Sequence, residues 1–183
     1  MTKKRLLSNL LNEFRKKDFL ENGIRSKNLL NWIYNSLLTK KKVIEEDEYE
    51  TDLRRVMNYG HTFGHAIEAI TDHAIPHGTA VAFGIDIVNY FSLKYGLISR
   101  DLFLEMHQFI KEAYPQLPSL ESTQLMEVAK TDKKVVDNAV NFALLDQEEG
   151  LIIRKSNFDD EMKAILDEYL EGYQSAFSSW YRW

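Results

Sequence analysis

The chain has 183 residues, enough for one domain with a real core. Hydrophobic residues make up 44% and charged residues 28%, an ordinary balance for a water-soluble protein, and the net charge of −5 gives no reason to expect a nucleic-acid partner. There is no cysteine, so disulfides and thiolate metal sites are excluded and any metal must use His, Asp or Glu.

In chain order, "MTKKRLLSNLLNEFRKK" is basic and amphipathic, with Leu6, Leu7, Leu10, Leu11 and Phe14 on one helical face. It reads as a helix packing on its own domain, with a targeting or membrane-surface role as the alternative. No apolar run approaches the ~18 residues of a membrane span, so the expected compartment is the cytoplasm with no membrane partner. "SKNLLNWIYNSLLTKKKVIEEDE" sets Leu29, Leu30, Ile33, Leu37 and Leu38 along one stripe, with Ser26 as the expected N-cap. "RRVMNYGHTFGHAIEAI" reads as a helix interrupted or preceded by a tight glycine turn. "GTAVAFGIDIVNYFSLKYGL" is apolar nearly all round, the pattern of a buried central helix ending near Gly96.

Asp101 is the expected cap of "DLFLEMHQFIKEAY", which "PQLP" closes, and "STQLMEVAKTDKK" starts like another capped helix. "AVNFALLDQEEGLIIRK" is two short β-type runs around an acidic turn with Gly150, a hairpin. Asp159 or Asp160 caps a last helix, "DDEMKAILDEYLEGY", and an aromatic tail follows. The expected fold is mainly α with one small β-hairpin near 140–154. Its expected divisions are an N-terminal amphipathic extension over 1–24, a helical domain over 25–172 and the tail over 173–183.

Four of the five histidines, His61, His65, His73 and His77, fall within "NYGHTFGHAIEAITDHAIPHG". His61 and His65 are spaced i, i+4, which puts both rings on one face of a helix. His77 follows the break at Pro76 and can fold back toward them. Neutral imidazole is a common metal ligand, and zinc suits an all-N/O site. Such a pair also arises on ordinary surface helices. Thr62 stands where the zinc-protease helix has its glutamate, which removes that reading. His73 lies in a polar turn and reads as exposed. Gly60, Gly64 and Gly78 flank the three histidines, and glycine in a helix costs about 1 kcal/mol, so they signal either close approach to a ligand or tight helix packing. Lys40, Arg54 and Asn58 add polar groups suited to a phosphate or polyol, with Arg54, Asn58 and His61 in one line.

These residues carry a resemblance. "DEYETDLRRVMNYGHTFGHAIE", then "PHGTAVAFGIDI", closely resembles the C-terminal domain of 3-dehydroquinate synthase, one of the sugar phosphate cyclases, which include 2-deoxy-scyllo-inosose synthase. "AKTDKKVVDNAVNFALL" is similar to the family's later D-K-K segment and hairpin, so the likeness covers roughly residues 25–170. The resemblance implies a mainly α, dehydroquinate synthase-like C-terminal domain. It implies a lyase chemistry in which substrate oxidation by NAD acidifies a neighbouring C–H, phosphate leaves, the ketone is reduced back and an aldol step closes the ring. It implies zinc or cobalt as Lewis acid. Position by position, His61 and His77 resemble metal ligands and His65 a catalytic, substrate-contacting histidine. Lys40 resembles a catalytic and substrate-binding residue, Arg54 and Asn58 substrate-binding positions, and Lys134, ahead of Lys133, the phosphate-contacting lysine.

The sequence also departs from the family. No glycine-rich phosphate loop follows a strand, so the NAD-binding domain is expected from a separate chain, with its loss by truncation as the alternative, in a homo- or hetero-oligomer acting on a phosphorylated sugar. The family's third metal ligand, a glutamate in an E-x-x-K segment, has no counterpart, and Glu13 and Lys16 lie too close to Lys40 to fill that role. Thr79 replaces a usual glutamate and Asp52 a usual glycine. Both point toward a divergent cyclase of a surface-polysaccharide or secondary-metabolite pathway, such as a cyclitol synthase, beside the shikimate enzyme of aromatic amino-acid biosynthesis. The competing readings are a non-catalytic remnant of the fold serving as a binding or regulatory module, and a helical protein with an incidental histidine pair.

Overall fold

The computed structural model describes residues 28–49, 53–114, 116–132 and 138–174. The expected Ser26 cap, the 1–24 extension, Lys133, Lys134 and the tail beyond 174 lie outside them. The described elements are α1 (Leu29–Glu46), a 3-10 turn (Leu53–Asn58), α2 (His61–Ile70), α3 (His77–Lys94), α4 (Arg100–Ala113), α5 (Ser122–Ala129), β1 (Ala139–Asp146), β2 (Gly150–Asn157) and α6 (Asp160–Gln174). This is the mainly α fold with one antiparallel hairpin that the patterning predicts.

α3 is the axis of the molecule. Its sequence has no polar face, and ten of its residues are buried, from Ala80 to Ser92. α2, α4, α6 and β1 pack around it. Phe63 of α2, Phe91 of α3 and Phe142 of β1 form one aromatic stack, with ring centroids 5.3–5.9 Å apart. β1 and β2 pair in register from Ala139↔Asn157 to Asp146↔Gly150, a little longer than the expected 140–154. The acidic turn is closed by Asp146, whose carboxylate accepts from the amides of Glu148 and Glu149, and by Gly150 at φ +86°. Ser92 then fastens the hairpin to α3 by donating to Val88 and accepting from the Leu145 amide.

Two expected caps are corrected. Ser99, not Asp101, caps α4, accepting from the Leu102 amide, and Asp101 sits in the first turn, where its charge favours the helix dipole. α5 has no side-chain cap: Glu121 stands at its N-cap, and the Ser122 hydroxyl, at the first helical residue, donates to Asp167 of α6. Asp159 does cap α6, through the Met162 amide. The apolar stripe of α1 is not core among the described residues: Leu30 and Leu37 are 79% and 61% exposed, and no residue of α1 is buried. α1 is held instead at its C-terminal end, where Asp47 accepts from the Arg54 amide and Glu48 from the Arg54 guanidinium.

The glycines separate into two kinds. Gly84 of α3 lies against Gly60 and Gly64, and a Cβ there would stand 2.0 Å from the Gly60 carbonyl oxygen. A Cβ at Gly64 would meet the Val81 backbone at 2.9 Å. These glycines serve helix packing, whereas Gly78 meets nothing within 4 Å. Gly84→Ala is therefore expected to destabilise by about 1–3 kcal/mol or more through overpacking. Gly78→Ala should be neutral or gain up to about 1 kcal/mol from helix propensity. Denaturant unfolding of the two variants checks the contrast.

Candidate metal and substrate site

The site begins at the turn before α2. Gly60 takes φ +73°, which a side chain would strain, and this reverses the chain out of the 3-10 turn so that α2 opens on His61. His65 follows one helical turn later. Pro76, at φ −58° and ψ 142°, ends the intervening turn in extended geometry and starts α3 on His77. The three rings converge: His61–His65, His61–His77 and His65–His77 centroids are 5.5, 5.6 and 5.7 Å apart. His73 is exposed at φ +58°, and its amide donates to the Glu68 carbonyl as α2 ends.

Each ring of the cluster has an oxygen near its Nδ1. His61 Nδ1 is 3.1 Å from the Tyr59 carbonyl, and His77 Nδ1 is 2.9 Å from Glu68 Oε2. His65 Nδ1 is 3.9 Å from Oδ2 of Asp132, in the turn just beyond α5. A carbonyl can only accept, so a neutral His61 bonded to it carries its proton on Nδ1 and leaves the lone pair on Nε2. His65, Glu68 and His77 also each offer a ligand atom within 4.8 Å of the other two. With no thiolate present, this donor set fits a borderline divalent ion such as zinc or cobalt.

Next to the cluster, Lys40, Ile44, Arg54, Met57, Asn58 and His61 line an open cavity of about 220 Å³. The structure thus brings Lys40, Arg54 and Asn58 to one cavity and His61, His65 and His77 to one cluster, with His61 in both. Thr79 lies in the first turn of α3, two residues beyond His77.

Sequence reasoning passed over Glu68 and Asp132, and with them a buried polar network below the site. Glu68 carries a signal, since it stands three residues after His65 and so on its face of the helix. In the network, Asp86 and the fifth histidine, His107, are both fully buried. Asp86 Oδ2 accepts from His107 Nδ1 at 2.7 Å and from the Tyr169 hydroxyl at 2.7 Å. Tyr59, whose carbonyl faces His61, anchors its own hydroxyl on Asn89. The signal here is an aspartate inside the otherwise apolar "AFGIDIV".

The family model for 3-dehydroquinate synthase C-terminal matches residues 2–135. The chain belongs to this family. It is 37% identical over 134 residues to 3-dehydroquinate synthase of Streptococcus pyogenes serotype M6, covering 70% of this chain and 37% of that protein. The Solibacter usitatus enzyme is 37% identical over 115 residues, and that of Prochlorococcus marinus AS9601 is 29% identical over 144. The chain spans about a third of the length of these curated relatives, between 32% and 39%. A solved structure of 2-deoxy-scyllo-inosose synthase complexed with carbaglucose-6-phosphate, NAD+ and Co2+ shares the fold at TM-score 0.67 and 21% identity, over 78% of this chain and 41% of that one. The chain thus carries the fold of a 3-dehydroquinate synthase C-terminal domain, as the motif resemblance implies.

The tyrosines around Asp86 set a pH limit on this base. Burial, and then the Asp86 charge, push the Tyr59 and Tyr169 phenols far above their usual range and Tyr173 up to about 12. Above pH 10 the unfolded chain loses these protons while the folded chain keeps them. Stability is therefore complete below pH 10 and falls as pH rises through 10 to about 12. Urea unfolding across that window should show the decline, and Tyr173→Phe should make it shallower.

Proposed function

We propose that this domain is the metal- and substrate-binding part of a sugar phosphate cyclase, acting with a nucleotide-binding domain to eliminate phosphate from a phosphorylated sugar and close a carbocycle. The observation that carries this reading is the convergence of His61, His65 and His77, continuous with the wall of Lys40, Arg54 and Asn58. When bound, a zinc or cobalt ion supplies Lewis-acid polarisation of substrate oxygens, and NAD supplies the hydride acceptor and donor.

This chain's residues would do the following. His61 and His77 present Nε2 toward the ion. A catalytic metal takes three protein ligands, so a further carboxylate must join them, which the family's E-x-x-K glutamate would supply. Lys40 and Arg54 hold the anionic groups of the substrate, Arg54 with fork geometry. Asn58 orients a hydroxyl by donating and accepting. His65 sits on the open side of the cluster, 46% exposed, where it can hold the proton that the leaving phosphate oxygen needs. Lys134 would add a phosphate contact. A cytoplasmic enzyme with a phosphorylated metabolite as substrate fits this set.

The full chain is expected to bind zinc or cobalt, and His61→Ala and His77→Ala should weaken binding by at least about 100-fold, more than loss of an outer-shell partner. Equal affinity in wild type and His61→Ala would sink the metal assignment. Mixing the chain with a family nucleotide-binding domain should give NAD-dependent phosphate release that His65→Ala abolishes. If metal binds and no such domain restores release, a binding module built on the same fold is the better account.

A further inference from the structure

We infer that Glu68 is a positioning residue, which holds His77 in the Nδ1–H tautomer and so aims its Nε2 lone pair at the metal; this rests on the metal reading of the cluster. Glu68 Oε2 lies 2.9 Å from His77 Nδ1, across the loop that separates α2 from α3. The Glu68 side chain is only 13% exposed, whereas the His77 side chain is 56% exposed, so the well-packed partner fixes the loose one. Glu68 belongs to the last turn of α2, whose end is pinned locally: its carbonyl accepts from the His73 amide and the Thr71 hydroxyl. The ring it holds stands at the first residue of α3. An exposed imidazole in that position samples both tautomers and several rotamers, and each wrong one removes a ligand.

The distance separates this role from direct ligation. Donor atoms on a tetrahedral zinc, at about 2.0–2.1 Å from the ion, stand about 3.4 Å apart. At 2.9 Å the Glu68–His77 pair has hydrogen-bond geometry. His61 shows the same device in another form, with a backbone carbonyl in place of the carboxylate. Both proposed ligands then turn Nε2 the same way relative to their supports, while His65, whose nearest carboxylate among the described residues is at 3.9 Å, is held less tightly. A carboxylate behind a ligating imidazole also raises its basicity.

The test is the histidine tautomer in the full, metal-free chain at pH 8, read by long-range 1H–15N NMR, together with metal titration. His77 should carry its proton on Nδ1 in wild type, and Glu68→Ala should shift it to the Nε2–H form that an unpaired imidazole favours. Zinc affinity should fall about 10–100-fold in Glu68→Ala, and less in Glu68→Gln, whose side-chain carbonyl still accepts. The ligand-field bands of the cobalt-saturated chain should stay the same in all three proteins. An unchanged tautomer in Glu68→Ala overturns the proposal. So does loss of binding in Glu68→Gln equal to that in His77→Ala with altered cobalt bands, which would make Glu68 a ligand. If wild type binds neither ion, the metal reading fails instead, and the tautomer still reports whether Glu68 orients the ring. Thermal unfolding without metal controls for folding of each variant.

Discussion

The structure depends on one contact that contains no side chain. Gly84 of α3 rests on the backbone of Gly60 and Gly64, close enough that a single added carbon would overlap the Gly60 carbonyl. Packed helices usually keep their axes 8–10 Å apart because side chains fill the seam. Here the seam is emptied at one point, and the start of α2 and the first two turns of α3 come together. That closeness lets imidazoles from two helices reach a common centre, with all three ring separations between 5.5 and 5.7 Å. Each helical glycine costs about 1 kcal/mol of propensity. The burial of Phe83, Ile87 and Phe91 on the same helix offsets that cost many times over.

A close contact places the rings, but it does not orient them. Orientation comes from what lies behind each imidazole. Tyr59 links the surface to the interior: its carbonyl faces His61, and its buried hydroxyl is tied to Asn89 of α3. One turn away on α3, Asp86 gathers His107 of α4 and Tyr169 of α6. A buried carboxylate is costly unless it is hydrogen-bonded, and two donors at 2.7 Å on Oδ2 offset part of that cost, while Oδ1 has no hydrogen-bond partner among the described residues. The result joins α3, α4 and α6 through directional bonds in a core that apolar packing alone would leave freer to slide. The floor beneath the histidines is therefore fixed in register as well as in depth.

How far the sequence revealed this depended on the range of the interaction. Helices, the hairpin and the buried character of α3 follow from period and run length, which are local. The meeting of His61 with His65 follows from the helical repeat, and the return of His77 from the break at Pro76. The caps were misjudged because Ser99 and Asp101 are both good capping residues, and which one serves depends on where the chain enters the helix. The Asp86–His107 pair spans 21 residues and two helices, and no periodicity links its members. The stripe of α1 is legible as one apolar face, but amphipathicity does not say what covers it, and Leu30 and Leu37 stand 79% and 61% exposed. The glycines were read partly as room for a ligand. Gly60 and Gly64 instead give room to α3, and the ligand geometry is a consequence of that packing.

The remaining constraint is water. His65 and His77 are 46% and 56% exposed, and Lys40 lies on an open face. Electrostatic control of a developing charge is weak in such surroundings, since effective interaction energies fall several-fold between a dry interior and a wet surface. In the proposed reading, proton holding by His65 and anion binding by Lys40 and Arg54 would gain their strength once a second surface excludes solvent. That surface would belong to the nucleotide-binding domain, which would bring the hydride acceptor and the missing carboxylate in the same movement. Dry walls and reactive groups would then form together, so that substrate oxidation cannot begin on a half-built, solvated site. The groups on this domain need only be held in place beforehand, and that is the task its backbone contact, its buried carboxylate and its two supported imidazoles perform.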